Sequence, residues 1–346
     1  MNVSVVVRSK DEADRLRLTL ASLSRQTAPA EVVVVDDGSS DHTPAVISEA
    51  SASLRLKTVR HEAAGGRSAA ANAGARAASG TVLLFLDGDT LADPHLVRRH
   101  AAAHAAQPAL IGRGETFHLR CTRFLRDPES ATPMPGAGDR VARLSVAERD
   151  RQRVTRAQVL DDFAAIECRA EPGIYPGAGP RRLQEIELEA LRDHPGCSVL
   201  WAAASGSNQS VGRDVFLDSG GFDEAIDINE HRELALRLCR AGLSMGLVAG
   251  ARSYHLTHRS GWRDPLEDIG WEQVFHAAHP LPEVALLAVF WASLSPLSPL
   301  PEAERILSLP ALEEAARSRT AAERDTARSR LGLPPLRSIA SAAIGA

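Results

Sequence analysis

Two aspartates, Asp87 and Asp89, stand on either side of Gly88 directly after the apolar run 83–86. The run is too short for a helix and ends in a glycine turn, which predicts a buried β-strand with both carboxylates at its end. Paired carboxylates are costly to ionise unless a cation or hydrogen-bond donors neutralise them. Oxygen ligands suit Mg2+ or Mn2+, so the pair is a candidate metal site. The alternative is a turn in which aspartate and glycine serve only the backbone.

A second acidic pair, Asp36 and Asp37, follows another buried run. Strand, helix and strand in succession predict right-handed parallel βαβ units, whose strand ends share one edge of the sheet. Ligands of open α/β sheets bind at that edge, which predicts a nucleotide crevice lined by both acidic pairs. No G-x-G-x-x-G follows the first strand and no Walker A sequence is present, so dinucleotide and P-loop domains are disfavoured. The predicted strands are 3–7, 31–35, 54–60 and 81–86, and the predicted helices are 11–23, 43–50 and 65–78.

The pattern beyond residue 112 changes twice and divides the chain into four regions. Alternation is lost after the first region and returns near Val199, which indicates an insertion within one α/β domain. The insertion could cover the crevice or shape an acceptor site, and a solvated decoration is the alternative. The regions are a nucleotide-binding half at 1–112, a mostly helical insertion at 113–204, an acceptor-side half at 205–279 and a helical extension at 280–346.

Helices within the later regions follow from their apolar spacing and their punctuation by proline and glycine. The insertion is predicted to contain helices at 145–168 and 181–191, separated by a loop at 172–180. The helix at 230–241 and the strand at 243–248 belong to the second half. The last charged helix, 302–330, is predicted to lie on the surface or to face a partner.

The composition is that of an ordinary globular chain and excludes several function classes. The 346 residues are 44% hydrophobic and 24% charged with a net charge of -4, so no nucleic-acid partner is predicted. The four separated cysteines form no C-x-x-C pair, which indicates reduced thiols in a cytoplasmic protein. The longest apolar run, 284–292, is too short to span a bilayer, so no integral membrane segment is predicted.

Several motifs, taken in order along the chain, resemble those of the family-2 glycosyltransferases of the GT-A fold. The motifs are the opening strand, the acidic turn 36–41, the segment 67–74, Asp87-Gly88-Asp89, the stretch 208–213, Gly220-Gly221-Phe222-Asp223-Glu224 and the segment 233–238. They cover 2–112 and 200–260, and their common order is far more specific than any one of them. The resemblance implies an α/β fold of GT-A type. In that fold a mostly parallel central sheet lies in a nucleotide-binding α/β/α sandwich, here with a helical insertion and a helical C-terminal tail.

The resemblance also implies how a nucleoside diphosphate sugar, in particular a UDP-sugar, is bound. Asp89 is implied as a direct ligand of Mn2+ or Mg2+, while Asp87 contacts the ribose or the ion. His255 is implied as a third metal ligand, ahead of His258, and Asp37 as the acceptor for the N–H of uracil. A purely structural role is the alternative for Asn72. Further donor contacts are implied at Val7, Ser9, Arg67, Asn72, Gly88 and Asn208.

The helix after the glycine-rich motif carries the implied general base, and here the sequence departs from the family. The family usually has Glu-Asp at this point, whereas this chain has Glu230 followed by His231. A histidine with a near-normal pKa can act as base at neutral pH, and Leu234 at i+3 places His231 on the inward face. Glu230 is the alternative, at the positive end of the helix dipole. The family implies an inverting hexosyl transfer.

Two rival functions fit the same crevice. A non-catalytic relative that binds sugar nucleotides is suggested by the aspartate replaced at His231. A sugar-phosphate nucleotidyltransferase is disfavoured, because 7–12 lacks the glycine that such enzymes carry after their first strand. The expected partners are the nucleotide-sugar donor, an acceptor that is a small molecule, a peptide or a glycan, and a second copy of the chain. A lipid-linked acceptor is open through the apolar run 284–292.

Overall fold

The computed structural model describes residues 1–172, 183–226, 228–258 and 265–336 of the chain. The first part alternates strands and helices as the sequence predicts, because its β-branched runs are buried on both faces of a sheet. The strands are β1 (Val3–Ser9), β2 (Ala30–Asp36), β3 (Leu56–Arg60) and β4 (Val82–Asp87). The helices between them are α1 (Ala13–Leu23), α2 (Thr43–Ala50) and α3 (Arg67–Ala77). The short strand β5 (Thr90–Ala92), helix α4 (Leu96–Ala106) and strand β6 (Leu110–His118) follow.

The insertion is more broken than the sequence predicts. The single helix expected at 145–168 is wrong, because Ser145 and Thr155 each form a capping box and so start separate helices. The elements are β7 (Leu125–Asp127), β8 (Thr132–Pro133), α5 (Gly138–Ala142), α6 (Val146–Gln152), α7 (Arg156–Asp161), α8 (Ala164–Glu167), β9 (Glu171–Pro172) and α9 (Leu183–Asp193). The predicted loop 172–180 lies, except for Pro172, outside the described residues, as do the first two residues of the predicted helix 181–191.

The second half supplies β10 (Gln209–Gly212), α10 (Arg213–Asp218), α11 (Glu230–Arg240), β11 (Ser244–His255) and α12 (Gly270–Ala278). Strand β11 is longer than the predicted 243–248, and its register on β6 shifts between Leu247 and Arg252. Gly250 lies within this irregular stretch with a positive φ of 71°. The irregularity lets the strand continue to His255, which lies at the candidate site.

The tail contains α13 (Pro282–Ala285), α14 (Leu287–Ser293), α15 (Leu309–Ser318) and α16 (Ala321–Arg330). One helix over 302–330 was expected and is wrong, since Ser308 caps α15 and Thr320 starts α16 with a capping box. The apolar run 284–292 is buried in the core, so it offers no face to a lipid-linked acceptor. Among the described residues no helix combines the length and the hydropathy that a bilayer crossing requires.

One sheet organises the molecule, with the strand order β3-β2-β1-β4-β10-β6-β11-β5. Strands β3, β2, β1 and β4 are parallel, and β11 is parallel to β6. Strand β10 runs antiparallel between β4 and β6, and β5 runs antiparallel to the end of β11. Apolar clusters cover the sheet on both faces, which is the predicted sandwich of GT-A type. The carboxyl ends of β1, β2 and β4 therefore lie side by side.

Candidate functional site

Asp89 is brought against the end of β11 by backbone pairing. The amide of Leu256 donates to the Asp89 carbonyl at 2.8 Å, and Thr90 pairs with His255 across β5 and β11. His258 Nε2 lies 2.7 Å and His255 Nε2 lies 3.2 Å from Asp89 Oδ2. Ligand atoms of these three side chains all lie within 4.8 Å of one another. The three residues are hereafter called the Asp-His-His cluster.

The three side chains of the cluster shift one another's protonation. Burial alone would raise the pKa of Asp89, but the charges and hydrogen bonds of His255 and His258 hold it well below its usual value. The same contacts raise the pKa of His255 against the effect of burial. One carboxylate and two imidazoles fit a divalent transition metal, because imidazole suits such ions better than it suits Mg2+.

Asp87 has a different partner from Asp89. Arg8 Nε donates to Asp87 Oδ1 at 2.8 Å, while Arg8 Nη1 reaches Glu230 Oε1 at 3.1 Å and Nη2 donates to the Gly206 carbonyl at 3.0 Å. The guanidinium thus neutralises Asp87 and ties β1 and β4 to the start of α11. Because Asp87 lies outside the Asp-His-His cluster, the structure separates the two carboxylates that the sequence treats as a pair.

Helix α11 begins with the two expected candidates for the general base, Glu230 and His231. Their surroundings favour a charged carboxylate and a neutral imidazole, respectively. Glu230 is buried, and although burial opposes ionisation, His231, Arg8 and Arg67 keep its pKa well below the usual range. Burial and the charges of Arg232 and Arg8 lower the pKa of His231, which favours its neutral ring. Both side chains are largely buried, with 3% of Glu230 and 14% of His231 exposed, so the prediction that Glu230 is the outer residue of the two is wrong.

The protonation of His231 follows from its neighbour. Its Nε2 lies 2.7 Å from Arg232 Nη1. A guanidinium has only donors, so Nε2 must accept and the ring proton of the neutral imidazole must sit on Nδ1. That Nδ1 lies 3.6 Å from Glu230 Oε2. In this arrangement His231 has no vacant lone pair with which to take a proton.

Asp37 lies at the end of β2 and fastens the loop that leads into α3. Its Oδ1 lies 2.7 Å from His61 Nδ1 and accepts from the Gly65 amide at 2.8 Å, and its Oδ2 accepts from the Gly66 amide at 3.0 Å. Arg67, the first residue of α3, contributes a positive charge near Glu230. Both residues thus border the crevice between β2 and α11.

Three of the expected donor contacts have their groups engaged inside the protein, which corrects the expectation for them. Asn72 accepts from the Phe222 amide and donates to its carbonyl, holding the glycine-rich motif against α3 in a structural role. The amide of Asn208 is fully buried and contacts Ala251, Ser253 and His100. Val7 is fully buried, and its strand pairs with a neighbour on each side.

Gly88 and Ser9 belong to a crowded part of the site. A Cβ at Gly88 would lie 2.4 Å from Glu12 Oε1 and 3.0 Å from Ser9 Oγ, so a side chain there would displace Glu12. Glu12 is a third carboxylate beside the two aspartates. Burial and the charges of Asp89 and Asp87 raise its pKa well above the usual value.

Three site residues escaped the sequence analysis: Arg8, Glu12 and His118. A charged residue ending the buried β-branched run of β1 was the available signal for Arg8, whereas Glu12 looked like an ordinary residue at a helix start. His118 ends β6 beside His255, and burial together with the charges of His255 and Arg120 lowers its pKa to about 3. No sequence signal marks His118, because its neighbour in space is 137 residues away.

Comparisons with known proteins agree with this geometry. Residues 4–130 match the model of the family Glycosyl transferase family 2. The chain is 46% identical over 253 residues to a validoxylamine A glucosyltransferase of Streptomyces hygroscopicus, covering 70% of this chain and 52% of that protein. It is 27% identical over 275 residues to the uncharacterized glycosyltransferase YfnE of Bacillus subtilis, covering 78% of this chain and 68% of that protein. The chain thus spans about half the length of the validoxylamine A glucosyltransferases that it matches.

Among solved structures, the fold is similar to residues 1–349 of TarS from S. aureus in complex with UDP-GlcNAc. The two chains superpose with a TM-score of 0.55 at 14% sequence identity, covering 96% of this chain and 93% of that chain. At this identity the likeness concerns the fold alone.

Proposed function

Since residues 4–130 match the model of glycosyl transferase family 2, we propose that the chain transfers a hexose from a nucleoside diphosphate sugar to an acceptor nucleophile. One observation carries the proposal. The Asp-His-His cluster, a site for a divalent cation, lies at the edge of the sheet where β1, β2 and β4 end. A nucleotide diphosphate held at that edge would meet the cation with its phosphates.

We propose UDP-glucose as the donor type. The glucosyl group is suggested by the name of the 46% identical relative, and UDP by the UDP and UDP-GlcNAc complexes of TarS. Asp37 supports a uracil contact, because three hydrogen bonds leave about one of its roughly four lone-pair positions open to a base N–H.

Asp89, His255 and His258 would hold the cation. When bound, it would stabilise the negative charge that develops on the departing diphosphate. Arg8 holds Asp87 beside this position through Oδ1, and Asp87 Oδ2 would accept from a ribose hydroxyl. Two imidazole nitrogens in the ligand set favour Mn2+ over Mg2+.

We propose Glu230 as the general base and an inverting displacement. The lone pair of His231 is directed to Arg232, so the remaining acceptor at the start of α11 is Glu230 Oε2. Arg8 orients the carboxylate through Oε1, and the Nδ1 atom of His231 lies 3.6 Å from Oε2. A base within hydrogen-bond reach of the acceptor hydroxyl removes its proton as the anomeric carbon is attacked.

We propose that the acceptor is a small molecule that carries a hydroxyl group. Peptides and glycans are the alternative acceptor classes, and the experiment below distinguishes them. The support is the name of the 46% identical relative, a validoxylamine A glucosyltransferase.

The experiment is a thermal-shift panel of UDP-glucose, UDP-GlcNAc, GDP-mannose and ADP-glucose, each with and without Mn2+, followed by measurement of nucleotide release with validoxylamine A. We expect the largest stabilisation with UDP-glucose and Mn2+ together, and UDP release that depends on the acceptor. Greater stabilisation by a GDP- or ADP-sugar would overturn the donor assignment. Donor binding without release, over a series of small-molecule, peptide and glycan acceptors, would favour the non-catalytic alternative.

A further inference from the structure

We propose that His118 is a positioning residue of the metal centre, which fixes the tautomer and the direction of His255. The inference rests on the proposed role of the Asp-His-His cluster. It concerns a residue outside that cluster, on the strand next to β11.

The contact between the two histidines is set by the sheet. His118 and His255 are register partners on the parallel strands β6 and β11, and the amide of Leu119 donates to the His255 carbonyl at 2.9 Å. Their Nδ1 atoms lie 3.3 Å apart, and the rings meet edge to face with centroids 5.2 Å apart. The backbone pairing therefore holds one ring nitrogen of each histidine against the other.

A hydrogen bond between two nitrogens needs one proton between them. His255 turns its Nε2 toward Asp89 Oδ2 at 3.2 Å, and because a carboxylate only accepts, this nitrogen carries a proton while no metal is bound. A metal that binds Nε2 must replace that proton. The proton of neutral His255 is then on Nδ1 and is donated to Nδ1 of His118. His118 is the acceptor in this pair, with its own proton on Nε2.

His118 is not itself part of the ligand set. Within the described residues, the atoms that gather inside 4.8 Å are those of Asp89, His255 and His258 alone. A partner that accepts from the second nitrogen of a ligating histidine orients the ring and increases its basicity. Its removal typically costs about 10- to 100-fold in metal affinity.

The test is Mn2+ affinity, measured by electron paramagnetic resonance or calorimetry on the full chain without donor. His118→Phe keeps a ring but removes the acceptor, and we expect Mn2+ binding weakened about 10- to 100-fold. His118→Asn places an oxygen acceptor near the former Nδ1, and we expect affinity within about threefold of wild type. The exposed His194, changed to Phe, is the matched control and should leave affinity unchanged.

Equal Mn2+ affinity in wild type and His118→Phe would overturn this inference while leaving the metal centre intact. Absence of Mn2+ binding to the wild-type chain would instead refute the proposed centre. A second measurement needs no variant, so it decides the matter even if His118→Phe fails to fold. In the Zn2+-loaded wild type, the long-range 1H–15N spectrum should show His255 protonated at Nδ1, and a metal-bound Nδ1 would contradict the inference.

Discussion

Asp87 and Asp89 are separated by one residue, yet they are neutralised by different means. Asp87 contacts the permanent cation Arg8, whereas Asp89 contacts two histidines whose nitrogens can also bind a metal. An arginine guanidinium keeps its proton near neutral pH, because its pKa is far higher than that. Histidine nitrogens can exchange a proton for a metal near neutral pH. The two carboxylates should therefore respond differently to the same substitution.

The first prediction compares Asp89→Asn with Asp87→Asn. Asp89→Asn removes the charged oxygen from the Asp-His-His cluster, and we expect Mn2+ affinity to fall by at least about 100-fold, beyond the usual effect of second-sphere changes. Asp87→Asn keeps the cluster and should change Mn2+ affinity by less than about tenfold. Calorimetric titration of Mn2+ checks both. Equal losses in the two variants would mean that Asp87 also ligates the metal.

The second prediction concerns the proton acceptor at the start of α11. Glu230→Gln keeps an oxygen for Arg8 but cannot take a proton, so we expect kcat to fall by ~10²- to 10⁴-fold with donor affinity nearly unchanged. His231→Gln keeps an acceptor for Arg232 near the former Nε2, and we expect kcat within about tenfold of wild type. Steady-state kinetics with saturating donor provide the measurement. A large loss in His231→Gln together with near-normal turnover in Glu230→Gln would give the role to His231.

At the scale of elements, helix α4 is joined to β10 by a buried polar chain. His100 Nε2 lies 2.9 Å from Asn208 Oδ1, His100 Nδ1 lies 2.7 Å from Ser210 Oγ, and His104 Nε2 lies 2.9 Å from the same hydroxyl. The amide oxygen can only accept, so His100 is protonated on Nε2 and accepts the Ser210 proton on Nδ1. His104 must then donate. A neutral His100 ring satisfies both of its contacts, since Nε2 donates and Nδ1 accepts.

The third prediction is that the buried polar groups between α4 and β10 make the protein less stable in acid. Burial lowers the pKa of His100 and of His104 from 6.5 to about 4. Because the folded pKa is below the unfolded one, this contribution is complete above pH 6.5 and disappears as the pH falls toward 4. We expect each histidine to contribute on the order of 3 kcal/mol of the acid-dependent loss in the free energy of unfolding.

Urea unfolding between pH 4 and 8 measures this effect. His104→Gln removes one titrating group, so its free energy of unfolding should fall less between pH 6.5 and 4 than that of the wild type. His194→Gln, at an exposed histidine, should keep the wild-type pH dependence. The same pH dependence in His104→Gln and wild type would show that protonation of His104 does not contribute.

Elements were easier to predict from the sequence than their contacts. Strands were predicted from apolar runs such as 83–86, because a short apolar run followed by a glycine is typical of a buried strand. Helix breaks at Thr155, Ser308 and Thr320 were missed, since a capping serine or threonine also occurs on exposed helix faces. The partners of Asp87 and Asp89 could not be predicted, because Arg8 and His258 are 79 and 169 residues away from them.

At the scale of the whole molecule, the insertion is joined to the sheet and to the start of α11 through one buried carboxylate. Glu187 on α9 lies 2.6 Å from Arg113 Nη1 and 2.8 Å from Arg232 Nη2. Arg232 also donates to the Ala202 carbonyl and packs over the Trp291 ring at 4.9 Å. One carboxylate thus holds together the insertion, β6, α11 and the tail. From the sequence, the insertion was predicted to contain charged helices. Exposure of these helices to solvent was as well supported as a role at the crevice.

The fourth prediction is that Glu187→Ala destabilises the whole molecule. The side chains of Glu187, Arg113 and Arg232 are only 2%, 6% and 5% exposed, so the substitution leaves two buried cations without their shared anion. We expect the free energy of unfolding to fall by about 3–5 kcal/mol, as for other buried pairs that lose one partner.

The control is Glu189→Ala, on the exposed face of the same helix, which should change the free energy of unfolding by less than about 0.5 kcal/mol. Because Arg232 contacts His231 and Arg8 holds Glu230, Glu187→Ala should leave kcat near the wild-type value at temperatures where the variant is folded. Urea unfolding of both variants, with kinetics well below the midpoint, separates these effects. Equal stability of Glu187→Ala and Glu189→Ala would show that the insertion docks by its apolar contacts alone.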